Sequence, residues 1–138
     1  MALNALTKEE KDLLKICTDQ AKYFLSNAGE FFPFGLGLDQ KKEFHPIGVY
    51  LENEHPSTLE VLNVLTQGIA KGIAEKKYLL AGICTGVSVN RVINNVSNKL
   101  DAIEVKIVKS LSEEHVLYVP YEITSDKIVS FGEVFTME

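Results

Sequence analysis

Four groups of residues in this chain could do chemistry or recognition, and each also has a plainer structural role open to it. Cys84, in the stretch Ala81-Gly82-Ile83-Cys84-Thr85-Gly86, could be a nucleophile if a histidine held it as thiolate. In a strand it could equally be a small apolar filler. Cys17 falls on the apolar stripe of a helix, and neither thiol has a CxxC or zinc-type partner. His45, His55 and His115 sit in separate stretches with no His or Cys neighbour at metal spacing, so no metal ligand is assigned and surface or capping roles are expected. Glu43, Glu52, Glu54, Glu113 and Glu114 lie near strand ends or loops. A hydrolytic carboxylate pair among them would be recognisable only by its separation in space, so solvated surface is expected and no catalytic residue is assigned.

The segment Glu30 to Gly37 is the most individual feature. Phe31, Phe32 and Phe34 could wall an apolar pocket with Glu30 as polar anchor and the glycines admitting a ligand to the backbone. The same rings could instead seal a helix against a sheet. The ligand-binding candidates are therefore Glu30, Phe32, Phe34 and Cys84. Gly35-x-Gly37 lacks the third glycine and the following helix of a dinucleotide fingerprint, and there is no Walker sequence, so no cofactor is implied. Val119-Pro120-Tyr121 is the other oddity, because Pro120 removes a ladder donor from a strand. Tyr118, Pro120 and Tyr121 could form an interaction surface, or the proline could simply guard an edge.

The elements that must position these groups follow from periodicity. Thr7 with Glu10 has capping-box spacing, and Leu13, Leu14, Cys17, Ala21, Phe24, Leu25 and Ala28 then recur at three and four residues, which predicts a helix ending at Gly29. The opposite face, with Lys8, Lys11, Asp12, Lys15, Asp19 and Lys22, reads as solvated. A strand is expected after Pro33, with Ile47 to Glu52 as its hairpin partner. Ser57 with Glu60 repeats the capping spacing before a second helix on Val61, Leu62, Leu65, Ile69 and Ile73, ending near Lys76 or Lys77. Gly68 and Gly72 within it imply close packing.

Strand character follows over Tyr78 to Val89, Ala102 to Ser110, His115 to Ile123 and Ile128 to Thr136. The first of these has Leu79, Ala81, Ile83, Val87 and Val89 on one face, and Asn90 to Leu100 is the longest expected loop. The order α-β-β-α-β-β-β-β predicts an α+β domain over 1–138, an antiparallel sheet of about five to six strands with both helices packed on one face.

Composition is compatible with such a domain. With 46% hydrophobic and 24% charged residues, the 138-residue chain can bury a core without a metal or disulfide staple. The formal charge of −5 and the scatter of its fourteen cations argue against nucleic acid as partner. The first ten residues lack a signal-peptide pattern and the longest weakly polar run is too short for a bilayer, so a cytoplasmic chain with free thiols and no membrane partner is expected.

Gly29-Glu30-Phe31-Phe32-Pro33-Phe34-Gly35 after an amphipathic helix, followed late by Val119-Pro120-Tyr121 and Phe131-Gly132-Glu133, resembles a group of small bacterial α+β proteins of unassigned activity. The resemblance implies a bacterial cytoplasmic protein and carries over no site residue. Two functions stay open. One is a non-catalytic interaction module of adaptor or immunity type, contacting another protein or a second copy of itself through a sheet face or edge. The other is a small-molecule-binding protein or enzyme with its pocket at Phe31 to Phe34.

Overall fold

Helix α1 (Lys8–Ala28) begins where the sequence predicts it, because the capping box is complete: Thr7 Oγ1 accepts from Glu10 N at 3.2 Å, and the Glu10 carboxylate accepts from Thr7 N at 3.2 Å. It stops at Gly29, whose φ of 76° is the left-handed terminator that glycine adopts freely. The computed structural model describes residues 5–49, 51, 56–110 and 112–136, and the expectations placed on Glu52, Glu54, His55 and Leu111 lie outside them. Strands β1 (Phe34–Leu38) and β2 (Phe44–Ile47) follow, then helix α2 (Thr58–Ala74), capped by Ser57, whose Oγ accepts from Glu60 N. Strands β3 (Leu80–Ile93), β4 (Val96–Ser110), β5 (Glu113–Ile123) and β6 (Val129–Phe131) complete one sheet of order β2-β1-β3-β4-β5-β6, with every neighbouring pair antiparallel. The α+β class, the six strands and the element order are those the sequence predicts.

The two helices, however, occupy opposite faces of the sheet rather than one. Residues 82 and 83 are consecutive in β3 and point to opposite sides: a Cβ on Gly82 would lie 2.6 Å from Leu13 of α1, while Ile83 packs with Val61, Leu65 and Ile69 of α2. The α1 face gathers Leu36, Leu38, Cys84, Ile103, Val105, Ile107, Leu117 and Val119; the α2 face gathers Ala81 and Ile83 beside Val108. Six successive residues, Leu80 to Thr85, are buried in consequence. An uninterrupted apolar run is what a strand covered on both sides requires. The expected single face of Leu79, Ala81 and Ile83 is thus only half the pattern, with Leu80 and Cys84 serving the other helix.

Close approach is built in at Tyr78. A Cβ at Gly37 would fall 2.5 Å from its ring, and one at Gly72 would fall 2.5 Å from the other edge, so α2 docks on β1 with the ring wedged between two glycines. Gly68 has no such neighbour, and close packing accounts for Gly72 alone. At the opposite helix, the first turn of α1 is tied to the sheet by charge: Lys42 Nζ lies 3.2 Å from Glu9, while Lys109 Nζ and His115 Nε2 each lie 3.6 Å from the buried Glu10 carboxylate.

Other boundaries differ from expectation for local reasons. The partner of β1 is Phe44–Ile47, not Ile47 to Glu52, because Asp39 closes a short turn: its Oδ1 accepts from Lys41 N at 2.8 Å and Glu43 N at 2.9 Å, and Lys42 takes a φ of 68°. The expected loop Asn90 to Leu100 is a hairpin, with register unbroken to Ile93↔Val96. Asn94 and Asn95, at φ 53° and 64°, are the two left-handed residues that a tight turn matching strand twist demands. The last strand is shorter than Ile128 to Thr136, and the chain after it bridges back to β5 at Tyr118↔Phe135.

Candidate functional site

The Phe31 to Phe34 segment splits according to which way each side chain points. Phe31 and Phe34 join Phe24 of α1 in a ring cluster with centroids 5.6 to 6.1 Å apart, sealing the C-terminal end of the helix against the sheet. Phe32 points away and is 58% exposed, and Pro33 is buried. Two grooves flank Phe34. One, of about 310 Å³, runs between α1 (Ile16, Gln20, Phe24) and the β2 end (Pro46, Ile47, Gly48); the other, of about 370 Å³, is lined by Phe32, Pro33, Val49, Leu51 and Val61. Glu30 lies elsewhere, exposed beside Phe31, Gly86, Asp101 and Tyr121 in a third groove of about 320 Å³. Phe32 and Phe34 therefore share a groove, whereas Glu30 and Cys84 line neither of the two that flank Phe34.

Cys84 is directly across the ladder from Phe34 and has no exposed surface. Burial raises its thiol pKa well above the ordinary range, and neighbouring Cys17 adds to the shift; burial likewise pushes Cys17 up to about 12. Both sulfurs are thus protonated at neutral pH and act as small apolar groups. His45 and His115 approach carboxylates rather than thiols. His45 Nε2 lies 2.7 Å from Asp39 Oδ2 and 3.9 Å from Glu43, and His115 faces Glu10.

The Asp39, Glu43 and His45 donor atoms lie within 4.8 Å of one another on the β1–β2 hairpin, close enough to share a divalent cation. A search for His or Cys partners alone misses them; the register Gly37↔His45 is what brings His45 back over Asp39. The backbone amide of Glu43, more than any other group, lowers the Asp39 pKa, with His45 and the Lys41 amide assisting. Its Oδ1 is already committed to the turn.

Tyr118 and Tyr121, three apart in β5, do not share a surface. Tyr118 lies on the α2 face, its hydroxyl donating to Glu104 at 3.2 Å and its ring stacked on Phe135, which Arg91 covers from 4.1 Å to the centroid. Tyr121 lies on the α1 face, half-buried beside Asp101; desolvation, then that carboxylate, raises its pKa. Pro120 packs on Gly132 and accepts from its N–H at 2.8 Å. This stretch is held by the returning C-terminal chain.

The exposed apolar residues that do cluster are elsewhere. β1 pairs with β3 only to Cys84, and β5 pairs with β4 only from Ala102, so residues 86–101 extend as a two-stranded ribbon with no further strand on either edge among the described residues. At its tip Val92, Ile93 and Val96 are 67%, 47% and 57% exposed. Sequence reasoning misses this site because it takes Asn90 to Leu100 as a loop; Asn-Asn between β-branched residues was the signal available. No helix among the described residues is long and apolar enough to cross a membrane. Compared with protein-family models, with curated proteins and with solved structures, the chain matches none.

Proposed function

We propose that the chain is a non-catalytic protein-binding module of a bacterial cytoplasm, and that it docks its partner on the β3–β4 ribbon. The observation that carries the reading is the ribbon itself, two strands whose outer edges carry no further strand among the described residues, with three β-branched residues exposed at the tip. Open edges of this kind accept an extended segment of another chain, with backbone hydrogen bonds giving affinity and alternate side chains giving specificity. An unpaired edge left bare is an aggregation hazard, so a resident partner would also remove a liability. The burial of both thiols and the engagement of His45 and His115 with carboxylates support the absence of nucleophilic chemistry from this reading.

The test is tagged capture from the expressing cells with the unaltered chain and with a Val92→Asp, Val96→Asp variant of matched stability. A stoichiometric partner held by the first and lost by the second supports the reading. A partner retained by both places docking elsewhere, and a monomer without partner in either removes the module reading. A dimer of the chain that the variant dissolves would make the second copy the partner.

A second reading, small-molecule binding at the Phe31 to Phe34 segment, is favoured by the two grooves on either side of Phe34. Saturable shifts of Phe34 and Ile47 resonances on screening metabolites would support it.

A further inference from the structure

A different cavity from those above lies between α1 and the chain that returns from β6. It measures about 590 Å³, is lined by Leu14, Val119, Phe131, Gly132 and Val134, and has Lys11, Lys15 and Thr18 along its helix side. That volume lies within the roughly 300 to 1,000 Å³ of small-molecule sites. Its electrostatics distinguish it. Among the described residues, the grooves flanking Phe34 have no charged lining residue, and the groove at Glu30 has two carboxylates, Glu30 and Asp101. Here the charged lining among the described residues is cationic only, on a chain of formal charge −5. Glu133, between two of the lining residues, is exposed and outside the lining.

Lys15 is paired with Asp19 at 3.0 Å, whereas Lys11 has no ion pair among the described residues. About one uncompensated positive charge therefore borders an apolar trough. The complementary ligand has an apolar body and a single negative charge. We propose that this cavity binds a free long-chain carboxylate, its alkyl chain against Leu14, Val119, Phe131 and Val134 and its head group at Lys11, with Lys15 adding a share. Long lysine stems lie along apolar surface while the ammonium stays in water, which suits a head group held at the rim rather than buried. The site is independent of the ribbon and of the protein-binding reading.

The experiment is titration of the full chain with dodecanoate below its micellar concentration, followed by backbone and methyl NMR, alongside dodecyltrimethylammonium as a cation of equal chain length. Dodecanoate should shift Leu14, Val119, Phe131 and Val134 saturably and at least about tenfold more tightly than the cation, and a Lys11→Gln, Lys15→Gln variant that folds normally should lose most of that preference, roughly 1.4 kcal/mol per tenfold. A Lys76→Gln, Lys77→Gln control at the far end of α2 should keep it. Equal binding of the cation, unchanged preference in the Lys11/Lys15 variant, shifts centred on Phe34 and Ile47, or no shift would each overturn the proposal.

Discussion

The β3–β4 hairpin passes through two environments, and the same pair of strands has a different task in each. Between Ala81 and Thr85, matched to Glu104–Val108 across the ladder, β3 is buried at every position, with α1 against Gly82 and Cys84 and α2 against Ala81 and Ile83. From Gly86 to Ile93 the ladder continues without a break, yet every position is exposed or half-exposed. Nothing in backbone pairing separates the two halves. What separates them is that α1 and α2 cover only the base and that the pairing of β3 with β1 and of β4 with β5 stops there. Cross-strand hydrogen bonds alone make a marginal structure in water, so the base supplies the stability and the ribbon is left free to be used.

The base should be the more sensitive half. Ile107→Ala removes a fully buried side chain under α1 and should cost about 2 to 5 kcal/mol in denaturant titration; a loss under about 1 kcal/mol would break the contrast at once. Gly37→Ala comes next. The added methyl would push Tyr78, which cannot retreat because Gly72 holds its other edge, so about 1 to 3 kcal/mol is expected, with Gly68→Ala harmless as the control. In the ribbon, Asn95→Ala puts at a φ of 64° a residue without asparagine's tolerance of the left-handed region and should cost about 1 kcal/mol, a cost that Asn95→Gly avoids. Smallest of all, Val92→Thr with Ile93→Thr and Val96→Thr should change stability by less than about 0.5 kcal/mol. A larger loss would mean that the tip is covered.

Much of the base is legible in the sequence because its signals are local. Thr7 with Glu10, Gly29 and Ser57 each announce a helix end through a single side-chain or backbone requirement, and all three do what their types predict. What sequence conceals is which side of the sheet a helix takes. Leu79 to Cys84 has no polar alternation by which to assign faces, and only the pairing of Gly82 with Leu13 and of Gly35 with Leu65 reveals the two layers.

The ribbon is hidden for a different reason. Its strand residues are interleaved with Ser88, Asn90, Ser97, Asn98 and Lys99, since a ribbon with no core beneath it needs no apolar face. The candidate site shows the same divide. Phe31 and Phe34 are legible as aromatics that belong together, but Phe32 between them turns outward. Lys11 and Lys15 read as plain solvated surface, because their apolar complement, Phe131 and Val134, lies more than a hundred residues away in sequence.

The most direct test of the central claim, a locked base and a free ribbon within one hairpin, is native-state hydrogen exchange followed residue by residue along β3. The amides of Ala81 to Thr85 should exchange only through global unfolding, and those of Val87 to Ile93 through a separate, lower-energy opening that mild denaturant barely changes. Uniform protection from Ala81 to Ile93, with one common dependence on denaturant, would contradict it and show that the ribbon belongs to the same cooperative unit as the core.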